Sequence, residues 1–298
     1  MSAPTEITGE LLAGWRPPRI DGDSDKEARG RVLVLAAGAQ VAGATLLTAV
    51  AALRAGAGKL QVCAPASLAT ALALALPEAR VMPAPETVTG ELAPQASQAI
   101  GEALGRCDAA VIGPGMLDEG LAGELALRLA AAEGPVLVVD AAAVVGLARD
   151  PGRAATHGGR LVLTPHLGEM AALSGCAKGE VEADPLAAAR TAAARFQAVV
   201  ALKGADTLIV TPQGQAWRHR GGAVGLATSG SGDVLAGAIA GLAARGASPA
   251  QAAAWGVFAH GQAGVRLAAR VGRLGFLARE LLDEIAPVLN DLEAHGPA

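Results

Sequence analysis

ATSGSGDVLAG, residues 227–237, runs four small residues, Ser229-Gly230-Ser231-Gly232, straight into an acid, Asp233, and then into an alanine-rich stretch of helical character. The first amides of a helix have no partners within it, and the helix dipole is positive at that end. Glycines there let an anion such as phosphate approach the bare amides. Ser231 adds a hydroxyl donor. Asp233 would stand at the edge of the bound phosphate, able to take a proton from a hydroxyl that attacks it. The same letters also read as a loop with an Asp N-cap, and a short glycine motif alone does not separate the two readings.

The chain on either side of the motif supplies its setting. Short apolar runs, RVLVLAAG (31–38), KLQVCAP (59–65), DAAVIGPG (108–115), PVLVVDA (135–141) and RLVLTP (160–165), alternate with helical stretches at 42–58, 95–106 and 118–133. Uninterrupted apolar strands alternating with helices predict an α/β fold around a mostly parallel sheet. A helix is expected at 184–197. Strands AVVALKG (198–204), DTLIVTP (206–212) and QAWRHRG (215–221) then follow too closely for crossovers and predict a hairpin-like edge. Helices at 232–246, 249–270 and 276–287 finish the pattern. Residues 1–30, polar and Pro-containing, read as an arm with little regular structure, and 31–290 as one domain. In such sheets ligands bind beyond the carboxyl ends of the strands. Gly113-Pro114-Gly115, Asp140, Thr164-Pro165-His166 and Lys203-Gly204 all fall at such ends.

Bulk properties exclude several classes. With a net charge of −4, 2% aromatics and no Tyr, the chain has neither a basic block nor a stacking surface for nucleic acid. Cys63, Cys107 and Cys176 show no metal or redox spacing and read as small buried hydrophobes of a reducing compartment. No secretory signal and no membrane span is read, so a soluble, cytoplasmic protein is expected. His157, His219, His260 and His295 show no ligand spacing and are treated as background, and no metal ligands are assigned.

GLATSGSGDVLAGAIAGL (225–242) closely resembles the signature of the ribokinase-like superfamily. Within it, the chain is similar to the ADP-dependent NAD(P)H-hydrate dehydratases, the carboxy-terminal domain type of bifunctional hydrate-repair enzymes. The likeness runs from about residue 24 to 287 and rests on AGATLLTAVAALRAGAGKLQV (42–62), VIGPGM (111–116), VVDAAAV (138–144), LTPHLGEM (163–170), VALKGADTLI (200–209) and the motif itself. It implies a ribokinase-like three-layer α/β/α fold. The implied activity is metabolite repair: dehydration of (6S)-NAD(P)H hydrate to NAD(P)H at the expense of ADP (or ATP), with Mg2+, releasing AMP and phosphate. It also implies a homo-oligomer, a tetramer in this family.

Carried over by position, the resemblance makes Asp233 the catalytic base and a substrate contact. It places Ala44, Gly115 and His166 against the damaged cofactor. The nucleotide falls to Lys203, Gly204, Ala205, Asp206 and Thr207, with Gly230, Ser231 and Gly232. Ser229 and Ser231 stand where Gly and Thr are usual, and a cost in backbone freedom is expected if position 229 needs positive φ. Leu167 replaces a Pro, and Ala36-Ala37-Gly38 replaces an early Gly-Ser. Plainer readings remain beside these. His166 and Glu169 also read as a surface histidine and a dipole-complementing acid at a helix start. Asp140 reads either as a turn cap or as a neighbour of the metal–phosphate region. Arg218 and Arg220 read as charges guarding an exposed edge strand. Competing functions are a thiazole or pyrimidine alcohol kinase of the same superfamily, and a non-catalytic nucleotide-binding protein.

Overall fold

In the computed structural model, described for residues 3–18, 25–131 and 134–294, ten strands form one sheet. In chain order they are β1 (Thr5–Glu6), β2 (Arg31–Leu35), β3 (Lys59–Pro65), β4 (Ala79–Ala84), β5 (Ala109–Ile112), β6 (Val136–Val139), β7 (Leu161–Leu163), β8 (Ala198–Leu202), β9 (Thr207–Val210) and β10 (Ala216–His219). Their spatial order is β1-β10-β9-β8-β7-β6-β5-β2-β3-β4. From β8 to β4 every pairing is parallel, and β9 and β10 then add antiparallel strands, as their short turns require.

The apolar runs hide a period of two. Val32 and Val34 of β2, and Ala109 and Val111 of β5, face one core; Leu33, Leu35, Ala110 and Ile112 face the other. The first core is covered by α2 (Ala42–Arg54), α11 (Ser231–Ala244), α12 (Pro249–Arg270) and α13 (Ala278–Ala294), and α3 (Ala66–Ala75) packs at its side. The second is covered by α4 (Ser97–Leu104), α5 (Glu119–Ala130), α6 (Ala141–Gly146), α8 (Leu167–Ser174) and α10 (Pro185–Phe196), with the short α7 (Pro151–Ala155) and α9 (Lys178–Ala183) completing the layer. The result is the expected three-layer α/β/α arrangement. On α11, Gly237 brings the helix into contact with α2: a Cβ there would overlap the Thr48 carbonyl.

Three expectations need correction. The N-terminal segment is not an arm without structure. β1 pairs with β10, α1 (Gly9–Ala13) buries Leu12, Trp15 stacks on Trp217 at 4.9 Å, and the Trp255 indole donates to the Trp15 carbonyl at 2.9 Å. Two indoles and two apolar side chains, Ile7 and Leu12, outweigh the polar composition. Residues 1–2 and 19–24 of that arm, like His295, lie outside the described residues. Because β1 covers β10, Arg218 and Arg220 do not guard an exposed edge; their guanidinium groups lie 3.8 and 3.6 Å from Asp206. The last helix continues past Pro287 to Ala294, held by the burial of Val288, Leu289 and Leu292. Among the cysteines only Cys63 is fully buried, while Cys107 and Cys176 are half-buried. Among the described residues, no helix is long and apolar enough to cross a membrane.

Candidate active site

The neighbouring strands β8, β7, β6 and β5 end in Lys203, Pro165-His166, Asp140 and Gly113-Pro114-Gly115, so the residues flagged in the sequence share one sheet edge. Adjacency is tightest between β7 and β8, where the Lys203 amide donates to the Pro165 carbonyl at 2.8 Å and His166 bridges Lys203. Asp140, only 2% exposed, ends β6 and makes no side-chain cap for α6. Its Oδ1 instead accepts the Thr164 hydroxyl and the Lys203 ammonium, each at 2.7 Å. The turn-cap reading of Asp140 is therefore set aside. Glu169 Oε2 lies 3.9 Å from the same ammonium. Burial works to lower the Lys203 pKa, but the charges of Asp140 and Glu169, the hydrogen bond to Asp140 and the charge of Asp233 together raise it above its ordinary value.

Above this pair begins α11. Its N-cap is Gly230, at φ +88, with no side-chain cap. An added Cβ there would also come within 2.6 Å of Leu47. Asp233 lies inside the first turn and caps nothing, so the loop-and-cap reading of the motif fails. Ser229 is strain-free, since the non-glycine residues at positive φ among the described residues are Ala141 and Gln197. A Cβ on Gly232 would stand 3.4 Å from Lys203 Nζ and 3.6 Å from Asp140 Oδ2, which brings the glycine-rich turn over the ion pair. Burial, reinforced by the negative charge of Asp140 and opposed by Lys203, pushes the Asp233 carboxyl up to about 7. The Thr48 hydroxyl of α2 donates to the Asp233 carbonyl at 3.2 Å and ties this turn to the neighbouring helix. Beneath it, His260 Nε2 lies 2.9 Å from Ser231 Oγ and 3.0 Å from the Ser231 carbonyl, and burial lowers its pKa to about 4.

The other sequence candidates divide into two flanks. On one, Lys203, Gly204, Ala205 and Asp206 line a cavity of about 530 Å3 with Leu167 and Arg218, and Thr207 opens β9 beside it. On the other, Gly115 packs on Ala44, a Cβ at Gly115 falling 2.6 Å from that of Ala44. His166 is the N-cap of α8: its Nδ1 accepts from the Gly168 and Glu169 amides at 3.0 and 3.1 Å, and Glu169 returns a bond to the His166 amide. That leaves Nε2 carrying the proton on a side chain that is 59% exposed. Leu167 takes the first helical position, where a Pro is equally at home.

The chain that carries these residues has known relatives. The model of the family described as NAD(P)H-hydrate dehydratase matches residues 32–287. The chain belongs to the NAD(P)H-hydrate dehydratase family. It is 49% identical over 286 residues to the ADP-dependent (S)-NAD(P)H-hydrate dehydratase of Xanthomonas campestris pv. campestris, covering 96% of each chain. It is 40% identical to the bifunctional NAD(P)H-hydrate repair enzyme of Moorella thermoacetica, of whose length it spans 54%. Among solved structures, the ADP/ATP-dependent NAD(P)H-hydrate dehydratase of Bacillus subtilis, co-crystallised with ATP and Mg2+, superposes with a TM-score of 0.80 at 27% identity, over 97% of this chain and 99% of that one. A ribokinase-like protein of Enterococcus faecalis superposes at 0.81 with 24% identity, which bears on the fold alone.

Sequence reading missed His260, which touches Ser231, and marked Thr164 only as part of a strand-end turn, not as a partner of Asp140. It divided Asp140 between a turn cap and a neighbour of the metal–phosphate region, and read Glu169 first as a dipole-complementing acid and only second as a magnesium contact. An Asp ending an apolar strand and an acid three residues past a TPH turn were the visible signals. His260 carried none, because a lone histidine in an apolar helix does not announce its partner.

Proposed function

We propose that the chain is an ADP-dependent (S)-NAD(P)H-hydrate dehydratase. The observation that carries the reading is Asp233, a buried carboxyl poised near neutrality, one residue past the open amides of a glycine-capped helix and beside the Lys203–Asp140 pair. A base titrating near the working pH combines adequate ionisation with adequate basicity. Membership in the dehydratase family and the close likeness to the Xanthomonas enzyme support the substrate.

In this reading the ADP phosphates rest on the amides of Gly230, Ser231 and Gly232, where the helix dipole favours negative charge. The remainder of the nucleotide occupies the Lys203–Thr207 flank. The hydrate lies toward Ala44, Gly115 and His166, with its ring hydroxyl at Asp233. Asp233 accepts the hydroxyl proton as the oxygen bonds to the β-phosphorus and AMP departs. The phosphorylated ring then loses phosphate from one carbon and a proton from its neighbour, which restores the double bond of NAD(P)H. Hydroxide is a poor leaving group and phosphate a good one, which is why a nucleotide is consumed in a dehydration.

Mg2+ fits this donor set as an ion carried mainly by nucleotide phosphates, since it keeps several waters and asks for one or two carboxylates. Asp140 and Glu169 are the carboxylates at hand, and among the described residues no group of three or more His, Cys, Asp or Glu is placed to hold a metal by itself. When bound, the ion neutralises charge on the phosphoryl oxygens. The test is incubation with hydrated NADH, ADP and Mg2+. Return of the near-ultraviolet absorbance of reduced nicotinamide, with equal AMP and phosphate, supports the reading. A stable phosphorylated product indicates a kinase, and binding without turnover a non-catalytic protein.

A further inference from the structure

Gly115, on the hydrate flank, also lines a second cavity of about 290 Å3 whose other walls have no role in the proposed reaction. Its floor is Glu91, 7% exposed. The turn that presents it is tight: the Thr87 amide donates to the Glu91 carbonyl at 2.8 Å, the Gly90 amide to the Thr87 carbonyl at 2.9 Å, and the Glu91 amide to the Thr87 hydroxyl at 3.1 Å. Glu91 Oε1 accepts the Leu117 amide at 3.0 Å, clipping the turn to the loop after β5. No cation pairs with Glu91 among the described residues, and its second oxygen has no protein donor. Glu91 Oε2 is not a buried unpartnered oxygen but is open to solvent at the cavity, where ligand hydroxyls can take the place of water.

We propose that Glu91 receives the cis-diol of a substrate ribose in this cavity. The proposal rests on the dehydratase reading. The volume sits at the lower limit of small-molecule pockets, about 300 Å3, so it suits one sugar of a larger ligand. Its position suits a ligand that also reaches the base. Gly115 touches Ala44, Ala44 and Thr48 are one turn apart on α2, a rise of about 6 Å, and Thr48 holds the Asp233 carbonyl. The lining includes a second acid, Asp118, and no Lys or Arg. Phosphate is repelled there. A vicinal diol instead supplies two hydroxyl donors to one carboxylate, as an acid does for ribose in dinucleotide folds. A resident metal ion is disfavoured by the want of a third ligand.

The experiment compares the wild type with Glu91→Gln, which keeps the acceptor for Leu117 and removes the charge. The hydrates of NADH, NADPH and reduced nicotinamide mononucleotide are each assayed. A charged hydrogen bond lost to Gln is expected to raise the hydrate KM about 10-fold or more, with kcat and the KM for ADP changing far less. If the ribose is that of the adenosine half, the wild type discriminates against NADPH hydrate, the variant narrows that ratio, and the mononucleotide is indifferent. If it is that of the nicotinamide half, all three shift together. Unchanged hydrate KM values, or a shift confined to ADP, would overturn the proposal. Should the wild type turn over no hydrate, the functional reading fails by itself. The diol site is then still decided by calorimetry of NADH, whose affinity falls in Glu91→Gln if the site exists and holds steady if it does not.

Discussion

Lys203 Nζ and Asp140 Oδ1 stand 2.7 Å apart although their strands, β8 and β6, are not neighbours: the pair spans the end of β7. The ammonium also faces Glu169 and Asp233, so it balances three acids in a mostly buried site. Lys203→Met would leave Asp140 a buried charge without a counter-ion, and removing one partner of such a pair costs on the order of 3 kcal/mol. Urea unfolding should show this loss, and Asp140→Asn in the same background should recover part of it.

Asp233 gives a pH signature of defined sign. Its carboxyl titrates near 7 in the fold and at the ordinary 3.8 when unfolded. Between those values the folded state binds the extra proton, so its contribution to stability is present at low pH and fades as pH rises toward 7. Asp233→Asn should therefore gain thermal stability over the wild type above pH 7 and gain none below about pH 4, as melting curves across that range will report. The rate of the wild type should climb with pH and level off above about 7.

Helix packing behind the site is testable at two glycines of opposite circumstance. Gly237→Val forces a branched side chain onto the Thr48 carbonyl, parting α11 from α2, and should cost about 1–3 kcal/mol or more. Gly101, inside α4, has nothing within 4 Å of an added Cβ, and Gly101→Ala should stabilise by about 0.5–1 kcal/mol. Chemical denaturation of both separates packing from helix propensity.

His166 carries two separable burdens. As the α8 cap, its loss to Ala should cost about 1 kcal/mol in melting experiments. As a proposed hydrate contact, it should raise the KM for hydrate more than that for ADP. A larger change for ADP would assign the histidine to the nucleotide flank.

The sheet and the site differ in how openly the sequence displays them. Strand runs such as VLVVD and LVLTP declare a parallel sheet because both faces are buried, and a turn after each strand marks the site edge. β4 and α3 went unread, since ARVMPA at an outer strand lacks an apolar run and ASLATALALA lacks polar spacing. The N-terminal segment was misread because two tryptophans separated in sequence by eight strands, Trp15 and Trp217, decide its docking. Asp233 stood out in its motif as a candidate base, but its raised pKa comes first from burial and then from the charge of Asp140, which is far off in the chain, and both arise only through folding.

The most direct measurement is turnover of Asp233→Asn beside the wild type, with ADP affinity determined by calorimetry on the same preparations. General base catalysis contributes about 10²–10⁴-fold, so the variant should keep ADP binding and lose turnover by a factor in that range. Undiminished turnover in a folded, ADP-binding variant would contradict the assignment of Asp233 as the base.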